Sequence, residues 1–277
     1  MRNSPFLCSV HTHTTLCDGK NSMEDMVSAA YAAGVQYYGI SSHSHTPIAQ
    51  DQGLVLPQDM TAYCRMAERL QKQYRGKMDI LLGLEWDSCA DVSFEGFAYW
   101  IGSVHYLKCQ NGAYYAVDLD AETLISCQQE VFHGDVYAMI QAYFEQVAQV
   151  AALHPPILGH MDLITKCNAG NRFFDEDEKI YQEMALQALH TVEPLQTVLE
   201  VNTGAMARGY RKTPYPALFL LKEWRARGGK IVITADAHTA AGIVYGYADA
   251  IAFARQAGFT ESVILTANGW ITCPLRG

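Results

Sequence analysis

Three short strings carry residue types suited to chemistry: His11-Thr12-His13, Ser42-His43 and Asp236-Ala237-His238. Glu85, His105 and His160 add three further candidates between them. Each follows a short apolar run of the kind that forms a β-strand. Imidazole and carboxylate together are the ligand set for a divalent transition metal, and a metal held this way hydrolyses its substrate by activating water. Side chains two residues apart on an extended chain share a face, so His11 and His13 can chelate jointly, as can Asp236 and His238. Two solvated imidazoles at a polar strand end are the plainer reading of H-x-H. It loses ground here because Asp18 brings a carboxylate within the same loop. Glu85 closes the apolar run Ile80-Leu81-Leu82-Gly83-Leu84. A carboxylate there is costly to bury unless it is paired or bound to metal, and its two oxygens can bridge two cations.

Other candidates carry less weight. His43 stands directly after its strand and is preferred to His45, which is expected to support it or touch substrate. His160 sits at a strand end in Gly159-His160-Met161-Asp162, with Asp162 expected to orient it. His133 and His190 fall in or beside helical stretches and read as surface or core-edge residues. His154 precedes Pro155-Pro156 and reads as a helix-terminating residue. Arg208 and Arg211 lie in a loop after a strand. Solvation is the ordinary fate of such arginines, but the place of this loop favours a guanidinium clamp on phosphate oxygens by at least one of them.

The elements that must position these groups alternate along the chain. Strands are expected over 6–10, 37–41, 79–84, 97–103, 157–159, 198–201, 230–234 and 262–266. Helices are expected from the Ser22 cap to Gly34, and over 57–75, 135–152, 176–191, 216–227 and 247–257. Residues 106–134 follow neither pattern; Asn111-Gly112 marks a hairpin turn, read as an excursion near the site mouth. Repeated β-then-α units imply parallel strands with crossover helices. Candidates after so many separate strands fit the active-site face of a closed barrel better than the single switch point of an open sheet. The expected fold is therefore α/β, a TIM-like barrel of parallel strands, with seven strands as one option, in a single domain over 1–277.

Net charge is −9 and the sequence pI about 5.5, which argues against nucleic acid as the main partner. A small phosphorylated substrate stays open, because metals supply local positive charge. No apolar run approaches a membrane span, and the first ten residues are too short and polar for a signal peptide. Eight cysteines without a C-x-x-C pair read as reduced thiols of a cytoplasmic protein, with Cys17 a small semi-buried residue.

The four strings His11-Thr12-His13, Ser42-His43, Gly159-His160-Met161-Asp162 and Asp236-Ala237-His238 together resemble the motifs of the polymerase-and-histidinol-phosphatase (PHP) family. Tyr99-Trp100-Ile101-Gly102-Ser103-Val104-His105, Glu200-Val201-Asn202-Thr203-Gly204, Arg208-Gly209-Tyr210 and Pro214-Tyr215-Pro216 resemble its histidinol-phosphatase branch. The resemblance implies a distorted (β/α)7 barrel with two or three divalent ions, Zn, Mn or Fe. By position, His11, His13, Glu85 and Asp236 hold one. Glu85, His105 and His160 hold a second, and Asp18, His43 and His238 a third. Some relatives carry histidine where Asp18 stands. The implied reaction is hydrolysis of L-histidinol phosphate in histidine biosynthesis. Glu85, Asp236, His238 and Arg208 serve the chemistry, and Arg208, Arg211, His45 and Asn202 touch substrate. Another small phosphomonoester or nucleotide is the alternative substrate. An amidohydrolase barrel also opens with H-x-H but fits the Glu85 position and the D-x-H ending worse. A non-catalytic metal-binding barrel would be signalled by lost ligands, and the main ones are all here. The oligomeric state is not legible.

Overall fold

The structure is a computed structural model describing residues 8–48 and 59–275. The expected starts at Phe6 and Pro57 lie outside the described residues. Eleven strands are assigned: β1 (Cys8–Ser9), β2 (Tyr37–Ile40), β3 (Asp79–Asp87), β4 (Tyr99–Ser103), β5 (Tyr106–Lys108), β6 (Tyr114–Ala116), β7 (Ile157–Leu158), β8 (Val198–Asn202), β9 (Ile231–Thr234), β10 (Glu261–Thr266) and β11 (Gly269–Pro274). The helices are α1 (Met23–Ala32), α2 (Met60–Tyr74), α3 (Ala121–Glu130), α4 (Val136–Ala151), α5 (Lys179–Thr191), α6 (Gly204–Ala207), α7 (Leu218–Ala226) and α8 (Tyr247–Gln256).

Seven strands pair in parallel in the order β1-β2-β3-β4-β7-β8-β9. The two edges then meet. Thr12 bridges Ala237 in parallel, with the His13 N–H donating to the Ala237 carbonyl at 2.9 Å and the Ala237 N–H donating to the His11 carbonyl at 3.1 Å. The barrel is thus drawn shut by the H-x-H and D-A-H strings themselves. Among the described residues this seam leaves no unpaired edge of the long parallel sheet for another chain to extend.

Local signals account for most of the helices. Ser22 caps α1 by accepting the Asp25 N–H at 3.1 Å, and Met23, Met26, Val27 and Ala30 bury one face. Gly34 ends the helix at φ +83°, a conformation that costs glycine little. Asp135 caps α4 in the same way. Two helices start later than their apolar pattern suggests. The Ala217 N–H is captured by Asp162 Oδ2 at 2.8 Å, and α7 begins only after it, at Leu218. Asp175 binds the Asp177 N–H and Glu176 is held by Arg211, so α5 begins at Lys179.

The barrel interior is filled near the strand starts by Val10, Leu81, Tyr99, Ile101, Ile157, Val198 and Val232. Tyr99 is the largest plug; its hydroxyl donates to the Val10 carbonyl at 2.6 Å. Gly39 and Gly83 leave room for its ring, since a Cβ at either would run into it. Residues 262–266 do form a strand, but outside the parallel sheet. β10 pairs antiparallel with β11, and Val263, Ile264 and Leu265 pack on the interior layer from that end. The excursion after β4 contains the expected hairpin, β5 with β6, turning at Gly112 (φ +84°). It also contains α3, unexpected from the sequence, capped by Asp120 accepting the Thr123 N–H at 2.7 Å. Among the described residues no helix is long and apolar enough to cross a membrane.

Replacing Gly83 with alanine should force the Tyr99 ring or β3 to shift. The expected cost is about 1–3 kcal/mol, read as a lower denaturant midpoint; an unchanged midpoint would mean the barrel interior has slack.

Candidate metal centre

Glu85 lies near the end of β3 and is buried. The β2 edge is prolonged past Ile40 so that His43 bridges Glu85, with the Ser44 N–H donating to the Glu85 carbonyl at 2.8 Å and the Glu85 N–H to the Ser42 carbonyl at 3.1 Å. The Glu85 carboxylate then sits inside a ring of imidazoles. Its Oε1 is 2.9 Å from His160 Nε2 and 3.3 Å from His105 Nε2, and accepts the Ser103 hydroxyl at 2.9 Å. Its Oε2 is 2.9 Å from His43 Nδ1, 3.2 Å from His11 Nε2 and 3.5 Å from His13 Nε2.

Asp236 closes the other side. Its Oδ1 is 3.1 Å from His13 Nε2 and 3.6 Å from His11 Nε2. It holds a left-handed backbone, φ +47°, unusual for a residue with a side chain and a strain typical of functional positions. Gly204 leaves room for its carboxylate, because a Cβ there would lie 2.5 Å from Asp236 Oδ2. Asp18 reaches His238 Nε2 at 3.0 Å and lies 3.6 Å from both His13 and His43. The nine residues of the expected ligand set therefore converge at the C-terminal end of the barrel.

Ligand-type atoms fall into four overlapping groups: His13, Asp18, His43 and His238; His11, His13 and Asp236; His11, Glu85 and His160; His43, Glu85 and His105. Chemistry supports a cation among them. His11 Nε2, His13 Nε2, Glu85 Oε2 and Asp18 Oδ1 are buried, face the cluster and, among the described residues, make ion-pair approaches but no well-formed hydrogen bond. Orphaned acceptors and imidazole nitrogens of this kind are expensive unless something positive joins them. The charges are also strongly coupled. Burial works against ionising Glu85, but His11, His43 and His105 overcome it and hold the carboxyl well below its usual range. Burial, with His238 and His43 adding to it, lowers His13 to about 3, so its ring is neutral and able to ligate at neutral pH.

A supporting layer was not legible as such. Glu200, buried on β8, accepts from His11 Nδ1 at 2.5 Å, the Thr234 hydroxyl at 2.7 Å, the His160 N–H at 2.8 Å and the Asn202 amide at 3.0 Å. Asp87 accepts the backbone N–H of His105 at 2.8 Å and faces its Nδ1 at 3.1 Å. Glu200 is the one charged residue in Val198-Leu199-Glu200-Val201-Asn202. The reasoning applied to Glu85, a carboxylate in an apolar strand, would have found it.

The expected substrate contacts divide. Arg208 faces the cluster, donating to Asp236 Oδ2 at 3.1 Å and to His238 Nδ1 at 2.8 Å. Arg211 is committed elsewhere: it makes a two-pronged pair with Glu176 at 3.0 and 3.2 Å and donates to the Thr165 carbonyl. Asn202 is fully buried, its amide spent on Glu200 and its carbonyl oxygen on the Gly204 N–H. His45 pairs with Asp91 at 2.7 Å. Asp162 does not reach the His160 ring; it holds Ala217, and among the described residues His160 Nδ1 has no hydrogen-bond partner. Cys17 is buried rather than semi-buried, with its sulfur 3.6 Å from His13 Nδ1. His133 and His190 are exposed.

A family model described as the PHP domain matches residues 9–204. The histidinol-phosphatase of Bacillus subtilis is 25% identical over 86% of this chain and 95% of its own. A Deinococcus radiodurans protein named a probable histidinol-phosphatase is 28% identical over 91% of this chain and 94% of its own. The crystal structure of histidinol phosphate phosphatase from Lactococcus lactis, in complex with zinc, L-histidinol and phosphate, shares the fold. Its TM-score is 0.64 at 20% identity, covering 95% of this chain and 98% of that one.

Glu200→Gln, which keeps the shape but weakens the hold on His11, should lower divalent-ion affinity by roughly 10–100-fold. Metal retained after dialysis against buffered zinc measures it, and wild-type retention would remove Glu200 from the centre.

Proposed function

The chain belongs to the PHP domain family, and from that premise we propose that it is a metal-dependent phosphomonoesterase, a histidinol-phosphatase releasing phosphate from L-histidinol phosphate. The observation that carries the reading is the convergence of six imidazoles and three carboxylates around buried, unpartnered ligand atoms. The names of the relatives support the substrate.

Two or three divalent ions are the expected complement, held as the sequence suggests: His11, His13, Glu85 and Asp236; Glu85, His105 and His160; Asp18, His43 and His238. Such ions would make a bound water more acidic at neutral pH and neutralise phosphate oxygens. The protein's own part is positioning and charge. Glu85 offers one oxygen to each side of the centre. Glu200 fixes the His11 ring by its Nδ1 and so turns Nε2 inward. Asp87 does the same for His105. Arg208, only partly exposed, points its guanidinium at the Asp236 and His238 corner. Its planar fork suits phosphate oxygens gaining charge in the transition state. Asp236 and His238 flank that corner, where a leaving alkoxide can collect a proton.

Another small phosphomonoester is the competing substrate. Phosphate release from L-histidinol phosphate, measured beside a panel of other esters with zinc, manganese or iron added, separates the two. The expected result is preference for L-histidinol phosphate, with activity lost on chelation and restored by metal. Equal or better turnover of another ester would keep the phosphatase and discard the substrate. Arg208→Met should lower kcat by roughly 10²–10³-fold while the protein still retains its metal. Unchanged kcat would take Arg208 out of the reaction.

A further inference from the structure

The substrate named above carries an ammonium group on the carbon beside its ester methylene, and a carboxylate near the metal centre with an oxygen to spare is the partner that would favour it most. Most carboxylates around the centre are already engaged. Glu85 and Asp236 face the imidazoles, and Asp87 holds His105 and the Cys89 N–H. Glu200 is enclosed, Glu176 is gripped by Arg211, Asp91 is paired with His45, and Asp162 is fully buried. Asp118 is different. It follows Val117, whose N–H donates to the carbonyl of His105 at 2.8 Å. This bond continues the β5–β6 ladder by one pair, so the returning strand ends beside His105.

Asp118 Oδ2 accepts from Lys166 Nζ at 2.8 Å, and among the described residues its other oxygen accepts nothing. Its side chain is 26% exposed, against 10% for Lys166. Lys166 in turn lies 5.1 Å from the centre of the Tyr210 ring, two residues after Arg208. Burial pushes the Asp118 carboxyl up, but Lys166, His105 and His160 together hold it below its ordinary range, so it is charged at neutral pH and within the field of the centre's own imidazoles. Arg208 feels its charge as well.

We propose that Asp118 is a specificity-determining residue that receives the ammonium of an amino-alkyl phosphate on its open oxygen, while Lys166 anchors the other. The pair sorts substrates by charge. A cationic leaving group gains a charge-assisted hydrogen bond, whereas a neutral one leaves the carboxylate without a new partner, and an anionic one meets it as a like charge. The excursion expected near the site mouth is then the element that selects the leaving group. The inference rests on the phosphomonoesterase reading.

The test uses two matched pairs, L-histidinol phosphate against its deaminated analogue and phosphoethanolamine against ethyl phosphate, with the metal-loaded full chain. Wild type should favour the ammonium member of each pair in kcat/KM. Asp118→Asn keeps the shape and can still accept from Lys166. It should reduce that preference roughly tenfold or more, mainly through KM, with an unchanged melting temperature. A preference that survives the substitution, or a wild type with no preference in either pair, overturns the proposal. Lack of turnover of L-histidinol phosphate alone, with the phosphoethanolamine preference present and lost in Asp118→Asn, overturns only the substrate named above. A chain that hydrolyses no phosphomonoester overturns both.

Discussion

A single buried carboxylate organises this molecule. Glu85 sits deep in the barrel mouth with five imidazoles within 3.5 Å of its oxygens. A charge placed there is tolerable only if partners surround it. Those partners come from β1, the β2 extension, and the ends of β4 and β7, so the condition is met only when the strands are in register around the ring. The ring of imidazoles is therefore complete only in the closed barrel. The cost of leaving Glu85 alone in an apolar strand is what makes alternative registers unfavourable.

The closure of the barrel follows the same economy of parts. The backbone bonds that join the first and last strands of the parallel sheet belong to His11, His13 and Ala237, which flank or interleave the ligand-type side chains. Asp236 takes a left-handed backbone at this seam, and Gly204 withholds a side chain to admit it. One such left-handed residue and one such close approach thus lie where the chemistry is proposed to occur. The other end of the barrel is ordinary packing: the Tyr99 ring, the aliphatic layer around it, and the β10–β11 hairpin. Rigidity is supplied from below and reactivity is placed above.

Between the two lies a layer of orienting bonds. Glu200 ties together β1, β7, β8 and β9 through His11, His160, Asn202 and Thr234. Asp87 ties β3 to His105, two residues past β4. Such contacts set which ring nitrogen points inward, and that choice separates a ligand from a merely buried histidine. The excursion from β5 to α3 contributes from outside the ring. Its return beside His105 places Asp118 next to that residue, where Lys166 from the turn after β7 pairs with it, the position proposed to read the leaving group.

Much of this was legible along the chain. Two-residue spacing put His11 with His13 and Asp236 with His238 on shared faces. Apolar runs ending in polar residues marked strand C-termini, and their repetition pointed to a barrel. These are local properties, set by the period of an extended chain and by caps and glycines such as Ser22 and Gly34. The sequence could not say which partner each polar group would choose. Arg211 took Glu176, Asn202 took Glu200, Asp162 took the Ala217 N–H instead of the His160 ring, and Asp120 capped a helix no pattern announced. Polar side chains bond to whatever the fold brings within about 3 Å. That distance spans separations such as the 189 residues between His11 and Glu200, so residue types and spacing determined the chemistry available, and only the tertiary structure decided which groups were left free to perform it.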